Sequence, residues 1–194
     1  MLLVCRDSGA RYDACRTVGC RRIMKAIVRT CWEICLLRQG PQVFPRSWLL
    51  FAVMLAAYLV MDAVLFVAQG TRGFAILYQT LFDTALLAAF LALALGLWQK
   101  LERFNQTAIA LFGTGTLIMI AAVPVSLAAT LPHPASMQYV AEVLIYGILA
   151  WSILVTGHVM RHALDSKLFI GIIIAGAYTA LNFLLFATLF PIKG

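Results

Sequence analysis

The chain has 194 residues and a formal net charge of +7, with 63% hydrophobic and 12% charged residues and a mean hydropathy of +0.93. Soluble domains are about half apolar and about a quarter charged, so a soluble globular enzyme is excluded, and so is disorder, which needs low hydrophobicity. In a soluble protein the basic excess would suggest nucleic acid; here the basic residues lie outside the apolar runs, so they read as a topology signal and no nucleic-acid partner is expected.

Residues 1–23 are rich in Arg and Cys and lack the apolar core of a signal peptide. Met24 is followed at once by an amphipathic pattern. The first 23 residues therefore read either as an extension ahead of the true start or as a basic tail that touches anionic lipid. Residues 24–47 form a cytoplasmic interfacial segment. Within it, 25–39 reads as a surface helix, with Lys25, Arg29 and Glu33 four apart on one side. Ile27, Val28, Cys31, Trp32, Cys35 and Leu36 share the other side, which suits a helix lying at the membrane surface or packed on the bundle's cytoplasmic face. Gly40-Pro41 is a helix stop signal, and Trp48 suits an aromatic anchor at headgroup level. All the cysteines (Cys5, Cys15, Cys20, Cys31 and Cys35) lie before the first span. On a reducing side a disulfide framework is not expected. Their spacing is not that of a zinc ribbon; apolar filler is the plain reading, and lipidation of a juxtamembrane Cys the alternative.

Five apolar runs long enough to cross a bilayer follow within 48–192, at about 48–69, 74–98, 107–131, 139–160 and 168–190. The connections are short: Gly70-Thr71-Arg72-Gly73 joins the first two, and Pro132-His133-Pro134 breaks the chain between the third and fourth. Short loops make consecutive helices antiparallel neighbours in a single domain. Thirteen of the fifteen Lys and Arg fall on the N-terminal side of the spans and two, Arg72 and Lys193, on the other. That bias puts the N-terminus in the cytoplasm and the C-terminus outside. The expected fold is all-α: an integral membrane bundle of five transmembrane helices with an N-terminal cytoplasmic amphipathic helix.

Ionisable groups inside spans are costly and therefore functional candidates. Asp62, Asp83 and Glu142 qualify, all in the half of the membrane away from the N-terminus, with Gln79 and Thr80 one turn from Asp83. They read either as a proton or cation path, or as an acid that holds the bundle together through Thr107, Thr114 or Asn182. No Lys or Arg lies deep in any span to act as counter-ion. His158 and His162 sit four apart but lack the acid of a metalloprotease helix and read as interfacial polar residues. No nucleophile constellation and no phosphate loop is present, so neither catalysis, cofactor nor metal is expected. Gly113 and Gly115 in the third span, and Gly171 and Ala175 in the fifth, mark candidate helix-packing faces, within the bundle or between copies of the chain. Pro124 is a candidate hinge, because it lacks an amide hydrogen and frees a carbonyl.

The Gly40-Pro41 lead, the five close-set spans and the third-span run Arg103-Phe104-x-Gln106-Thr107, Ala110, Gly113-Thr114-Gly115 and Pro124 resemble the bacterial branch of the Yip family, the Ypt/Rab-interacting membrane proteins. The resemblance covers roughly residues 31–190. The eukaryotic members' Asp-Leu-Tyr-Gly-Pro motif is reduced here to Gly40-Pro41, preceded by Arg38-Gln39, which departs from the pattern expected for a Rab partner. The resemblance implies five spans, a cytoplasmic N-terminus, no catalysis, and a scaffold or accessory role in membrane organisation or trafficking through membrane or cytoplasmic protein partners. It places the chain in a bacterial inner membrane. A small proton- or ion-coupled carrier or channel using the intramembrane acids is the alternative from a different class.

Overall fold

The computed structural model describes residues 25–130 and 135–189, the side chains of 135–137 excepted. The 1–23 segment, the Pro132-His133-Pro134 break and Phe190 lie outside the described residues. All regular structure among the described residues is helical. A short helix α1 spans 25–35. The spans are α2 (Trp48–Ala68), α3 (Phe74–Leu97), α4 (Phe104–Thr130), α5 (Ala135–Leu164) and α6 (Leu168–Leu189). Single 3₁₀ turns at Pro41–Val43 and Leu101–Arg103 lead into α2 and α4.

All five long helices are apolar enough to cross a membrane. Their outward faces carry large apolar side chains almost without interruption, among them Val60, Phe74, Tyr78, Phe169 and Phe183. Water would not tolerate an apolar surface of that extent, whereas a bilayer provides its natural solvent. The chain is an integral membrane protein.

Four helices end in the same way. At the end of α1, Leu37 N–H donates to the Ile34 carbonyl and Arg38 N–H to the Glu33 carbonyl, with Leu37 at φ 61°. The ends of α2, α3 and α5 repeat the arrangement around Gly70, Gln99 and Asp165. These are Schellman motifs, in which a left-handed residue lets following amides satisfy the last carbonyls. They shift some boundaries. The first helix stops at 35 rather than 39, because the chain turns at Leu37 before it reaches Gly40-Pro41. The fourth span runs to Leu164, past the expected end at 160, and turns only at Asp165.

Helix α4 is the centre of the bundle. It packs against α2 and α5, while α5 packs against α6 and α3 leans on α2 with lighter contacts to α4 and α6. Phe112 of α4 sits between Phe51 and Tyr58 of α2, with ring centroids 5.9 and 5.2 Å apart. At the other end, Thr130 donates to the Ala68 carbonyl at 3.4 Å. Helix α4 continues through Pro124 to Thr130. The core below the α3–α4 connection is mostly apolar: Leu91, Leu95, Ile109, Phe112, Val159 and Met160 are all but fully enclosed.

The amphipathic helix is more deeply engaged than a surface-lying helix. Cys31, Ile34 and Cys35 are buried, and a Cβ placed on Gly113 would lie 2.7 Å from Cys31 Sγ. Gly113 is about 13 Å along α4 from Phe104 at 1.5 Å per residue, so α1 presses against the flank of the bundle within the apolar zone. Its apolar stripe is thereby divided. Ile27, Cys31, Ile34 and Cys35 face the bundle, while Val28, Trp32 and Leu36 stay exposed beside Lys25 and Arg29.

Candidate functional site

The polar residues inside the spans gather where α2, α3 and α6 meet. Each helix contributes a pair four residues apart, which places both members on one face: Tyr58 and Asp62 from α2, Thr80 and Thr84 from α3, Tyr178 and Asn182 from α6. Asp83 lies between them. Tyr58 donates its hydroxyl to Asp83 Oδ2 at 2.8 Å, and Asn182 Nδ2 donates to Oδ1 at 2.5 Å. Asn182 Nδ2 also lies 3.4 Å from the Tyr178 hydroxyl. Both carboxyl oxygens are thus held by neutral donors from two other helices. Aromatic contacts flank this node: Phe66 stacks on Phe186, Phe82 meets Phe186 edge-on, and Phe90 packs on Tyr178.

Asp62 is different. It is 3% exposed and close enough to Asp83 for the two to interact electrostatically. Thr80 pairs with its carboxyl, while Asp62 Oδ2 and the Thr84 hydroxyl have no hydrogen-bond partner. No Lys, Arg or His occurs in α2, α3 or α6. A carboxylate buried without a counter-charge is expensive, which favours the neutral, hydrogen-bonded acid in this corner.

The expected trio is not assembled as such. Asp62 and Asp83 come together, but Glu142 lies on an exposed face of α5 and does not join them. Gln79 is half-buried with its Oε1 unpartnered, and the hydrogen bonds to Asp83 come from Tyr58 and Asn182 instead. Of the three partners expected for Asp83, only Asn182 serves. Thr107 and Thr114 instead donate to their own helix, at Arg103 and Ala110 carbonyls. Tyr58 was missed; its signal was the four-residue step to Asp62.

The small residues have specific neighbours. Gly113 accommodates Cys31, and a Cβ on Gly115 would meet the Tyr58 ring at 2.8 Å. A Cβ on Gly171 would lie 2.1 Å from the Gly157 carbonyl oxygen. The Gly171 and Ala175 face therefore packs inside the bundle against α5, not on its exterior.

The end of the bundle carrying the α3–α4 and α5–α6 connections is held by a polar clamp. Asp165 accepts from Lys100 Nζ at 2.5 Å and from Arg103 Nη1 at 2.9 Å. Lys100 also donates to the Leu164 carbonyl at 3.0 Å, and Arg103 to that of Ala163 at 3.4 Å. Those cations serve the free carbonyls at the end of α5. The two hydrogen bonds, from Lys100 foremost, hold the Asp165 carboxyl down at about 2. Nearby, His158 Nε2 lies 3.1 Å from the Gln39 carbonyl oxygen, His162 abuts Gly40, and the two imidazoles meet edge to face at 4.7 Å. The histidines brace the 39–41 turn. No group of three or more His, Cys, Asp or Glu side chains is placed to hold a metal ion among the described residues. Burial pushes the Cys31 thiol up to about 12 and that of Cys35 to about 11.

No family model, no curated protein and no solved structure matches the chain.

Proposed function

We propose that this chain is a non-enzymatic scaffold or accessory protein of Yip type, acting in membrane organisation or trafficking through protein partners. The observation that carries this reading is the position of α1. Its inner edge is locked onto α4 through Cys31 and Gly113, while Val28, Trp32 and Leu36 form an outer apolar edge, with Trp32 59% exposed. Lys25 and Arg29 border that edge. A short helix fixed on a rigid bundle, apolar in the middle and basic at the rim, presents a pre-ordered surface to another membrane protein. The sequence resemblance supports the same role. The Lys and Arg bias supports a cytoplasmic N-terminus and an external C-terminus, and the resemblance supports a bacterial inner membrane.

A carrier or channel is the weaker reading. The polar residues of α2, α3 and α6 run from the middle of the bundle toward one end, and the interior of the other half is filled mainly by Leu91, Leu95, Ile109, Phe112 and Val159. A hydrated route would have to pass through that packed layer.

The test is site-specific photocrosslinking in native membranes, with the photoreactive residue at position 32 and a control at Leu81 on exposed α3. A discrete protein adduct at position 32, lost when Val28 and Leu36 are both changed to Ser, is the expected result. Adducts with lipid alone at both positions overturn the reading.

A further inference from the structure

Helix α5 has two unlike halves. Toward Leu164 it is well packed, with Val155, Val159, Met160 and Ala163 all buried. From Gln138 to Trp151, a length of about 20 Å at 1.5 Å per residue, only Ala141 is buried. Gln138, Glu142 and Tyr146 follow one another at four-residue steps in that half, which puts them on one face, and all three are exposed. Among the described residues, none of these side chains has a hydrogen-bond or ion-pair partner. The stretch belongs to a candidate membrane span, and Glu142 stands about 6 Å inside its Gln138 end. An acid within a span ordinarily faces the protein interior or pairs with another group; this one faces outward. Leu144, Gly147 and Trp151 lie on the other flank, where they line a groove with Trp32 and Leu36 of α1.

We propose that the 138–151 half of α5 is the contact between two copies of this chain, joined through Gln138, Glu142 and Tyr146. Copies inserted the same way in one membrane are related by a two-fold axis along its normal, the commonest symmetry of a homo-oligomer. Such an axis sets α5 parallel to its counterpart, with each residue level with itself and one turn from its neighbours on the stripe. An ionised Glu142 offers only acceptors, and it is flanked on either side by donors, the Gln138 amide and the Tyr146 hydroxyl. The stripe is therefore complementary to itself: each Glu142 carboxylate accepts from Gln138 and Tyr146 of the second copy, and no residue of opposite charge has to come from elsewhere. Interhelical hydrogen bonds of this kind hold membrane helices together, whereas an acyl chain against the same face leaves the carboxylate with nothing. The contact lies on a different face from the outer edge of α1 and does not depend on the partner-binding role of that helix.

The experiment uses the full-length protein reconstituted at a series of protein-to-lipid ratios in vesicles of phosphatidylethanolamine and phosphatidylglycerol, with energy transfer measured between donor-labelled and acceptor-labelled populations. The expected result is transfer that saturates as a dimer. Its dissociation constant should rise about tenfold in Glu142→Leu and in the double variant Gln138→Leu, Tyr146→Phe, and stay within about twofold of wild type in Glu142→Gln, which keeps the hydrogen-bonding side chain. Circular dichroism checks that each variant is folded, which the exposure of all three side chains leads one to expect. In native membranes, a photoreactive residue at position 149, on the same face seven residues after Glu142, should give an adduct of twice the chain mass, and one at position 144, on the other flank, should not. Monomer at every ratio overturns the proposal. So does dimerisation indifferent to Glu142→Leu, which would place the contact elsewhere and leave Glu142 reaching the headgroups. An adduct at position 149 with lipid alone, or with a different protein, overturns the assignment of a second copy.

Discussion

Adding a single methyl group at Gly171 should loosen the α5–α6 contact measurably, although Ala is a better helix former than Gly. The new Cβ would sit 2.1 Å from the Gly157 carbonyl oxygen and 3.1 Å from the Arg161 amide nitrogen. Ordinary contact begins near 3.4 Å, and both obstructing atoms are backbone, so no rotamer change can relieve the clash. The helices must part by about 1 Å, and Ala175, enclosed one turn further on, loses its packing with them. Overpacking of this kind costs about 1–3 kcal/mol, and a backbone obstacle belongs at the upper end. Replacing Gly by Ala within a helix returns about 1 kcal/mol. The net loss is then about 2 kcal/mol, or a Tm lower by about 4–8 °C for a chain of this size. Gly176 provides the matching control, because nothing lies within 4 Å of its added Cβ; Gly176→Ala should raise Tm by about 2–4 °C. Thermal unfolding of the detergent-solubilised variants, followed by circular dichroism, measures both. Equal Tm for Gly171→Ala and the wild type would refute the close α5–α6 contact.

Tyr58→Phe should keep the ring against Phe112 and Gly115 but leave Asp83 Oδ2 without its donor, costing about 1.5–3 kcal/mol. Combined with Asn182→Ala it should show non-additive losses in a double-mutant cycle, and strict additivity would mean that Asp83 does not join the two helices. The Asp165 carboxyl is held down at about 2 by Lys100 and Arg103, below its unfolded value of about 3.9. Its contribution is therefore present above about pH 4 and lost as pH falls toward 2. Hydrogen-exchange protection in the 98–104 and 164–168 connections, taken relative to the intrinsic rate at each pH, should fall across that interval in the wild type and stay level in Asp165→Asn. Thiolate is the reactive form of Cys, and burial raises Cys31 and Cys35 to about 12 and about 11. Maleimide at pH 7.5, read by peptide mass spectrometry, should label both slowly in the native protein and rapidly in SDS; equal rates would show that α1 does not pack on α4.

The spans were legible in the sequence because they answer to one physical requirement, a run of apolar residues long enough to satisfy the backbone internally across the bilayer. Helices α2 and α6 each end within one residue of the expected boundary. The errors lie where side-chain chemistry gives no warning. Gly70 announces a left-handed helix end, but Leu37, Gln99 and Asp165 adopt the same conformation at a cost that only tertiary contacts explain. At Asp165 the cause is visible, since Lys100 and Arg103 converge on that residue. The depth of α1 was hidden for a similar reason. An amphipathic pattern shows that one face seeks an apolar surface, not whether that surface is lipid or protein. The Gly113–Cys31 contact decides it, and the two residues are far apart in sequence.

Hydropathy weighs residues one at a time, so it marked Asp62, Asp83 and Glu142 alike. The structure separates them by what the neighbouring helices bring. Glu142 is exposed, Asp83 is saturated by Tyr58 and Asn182, and Asp62 is enclosed with a free oxygen. Four-residue steps of polar side chains mark the enclosed seam: Tyr58 with Asp62, Thr80 with Thr84, and Tyr178 with Asn182. The step alone does not single out that seam, because Glu142 has it with Gln138 and Tyr146 on a face of α5 that is exposed. In a bilayer a lone polar residue can turn to the headgroups or to water, but two on one helical face, matched by two on the next helix, define a polar seam that the bundle must enclose. Three helices share that seam here. Within it Asp83 joins all three helices, while Asp62 keeps one carboxyl oxygen, Oδ2, without a partner.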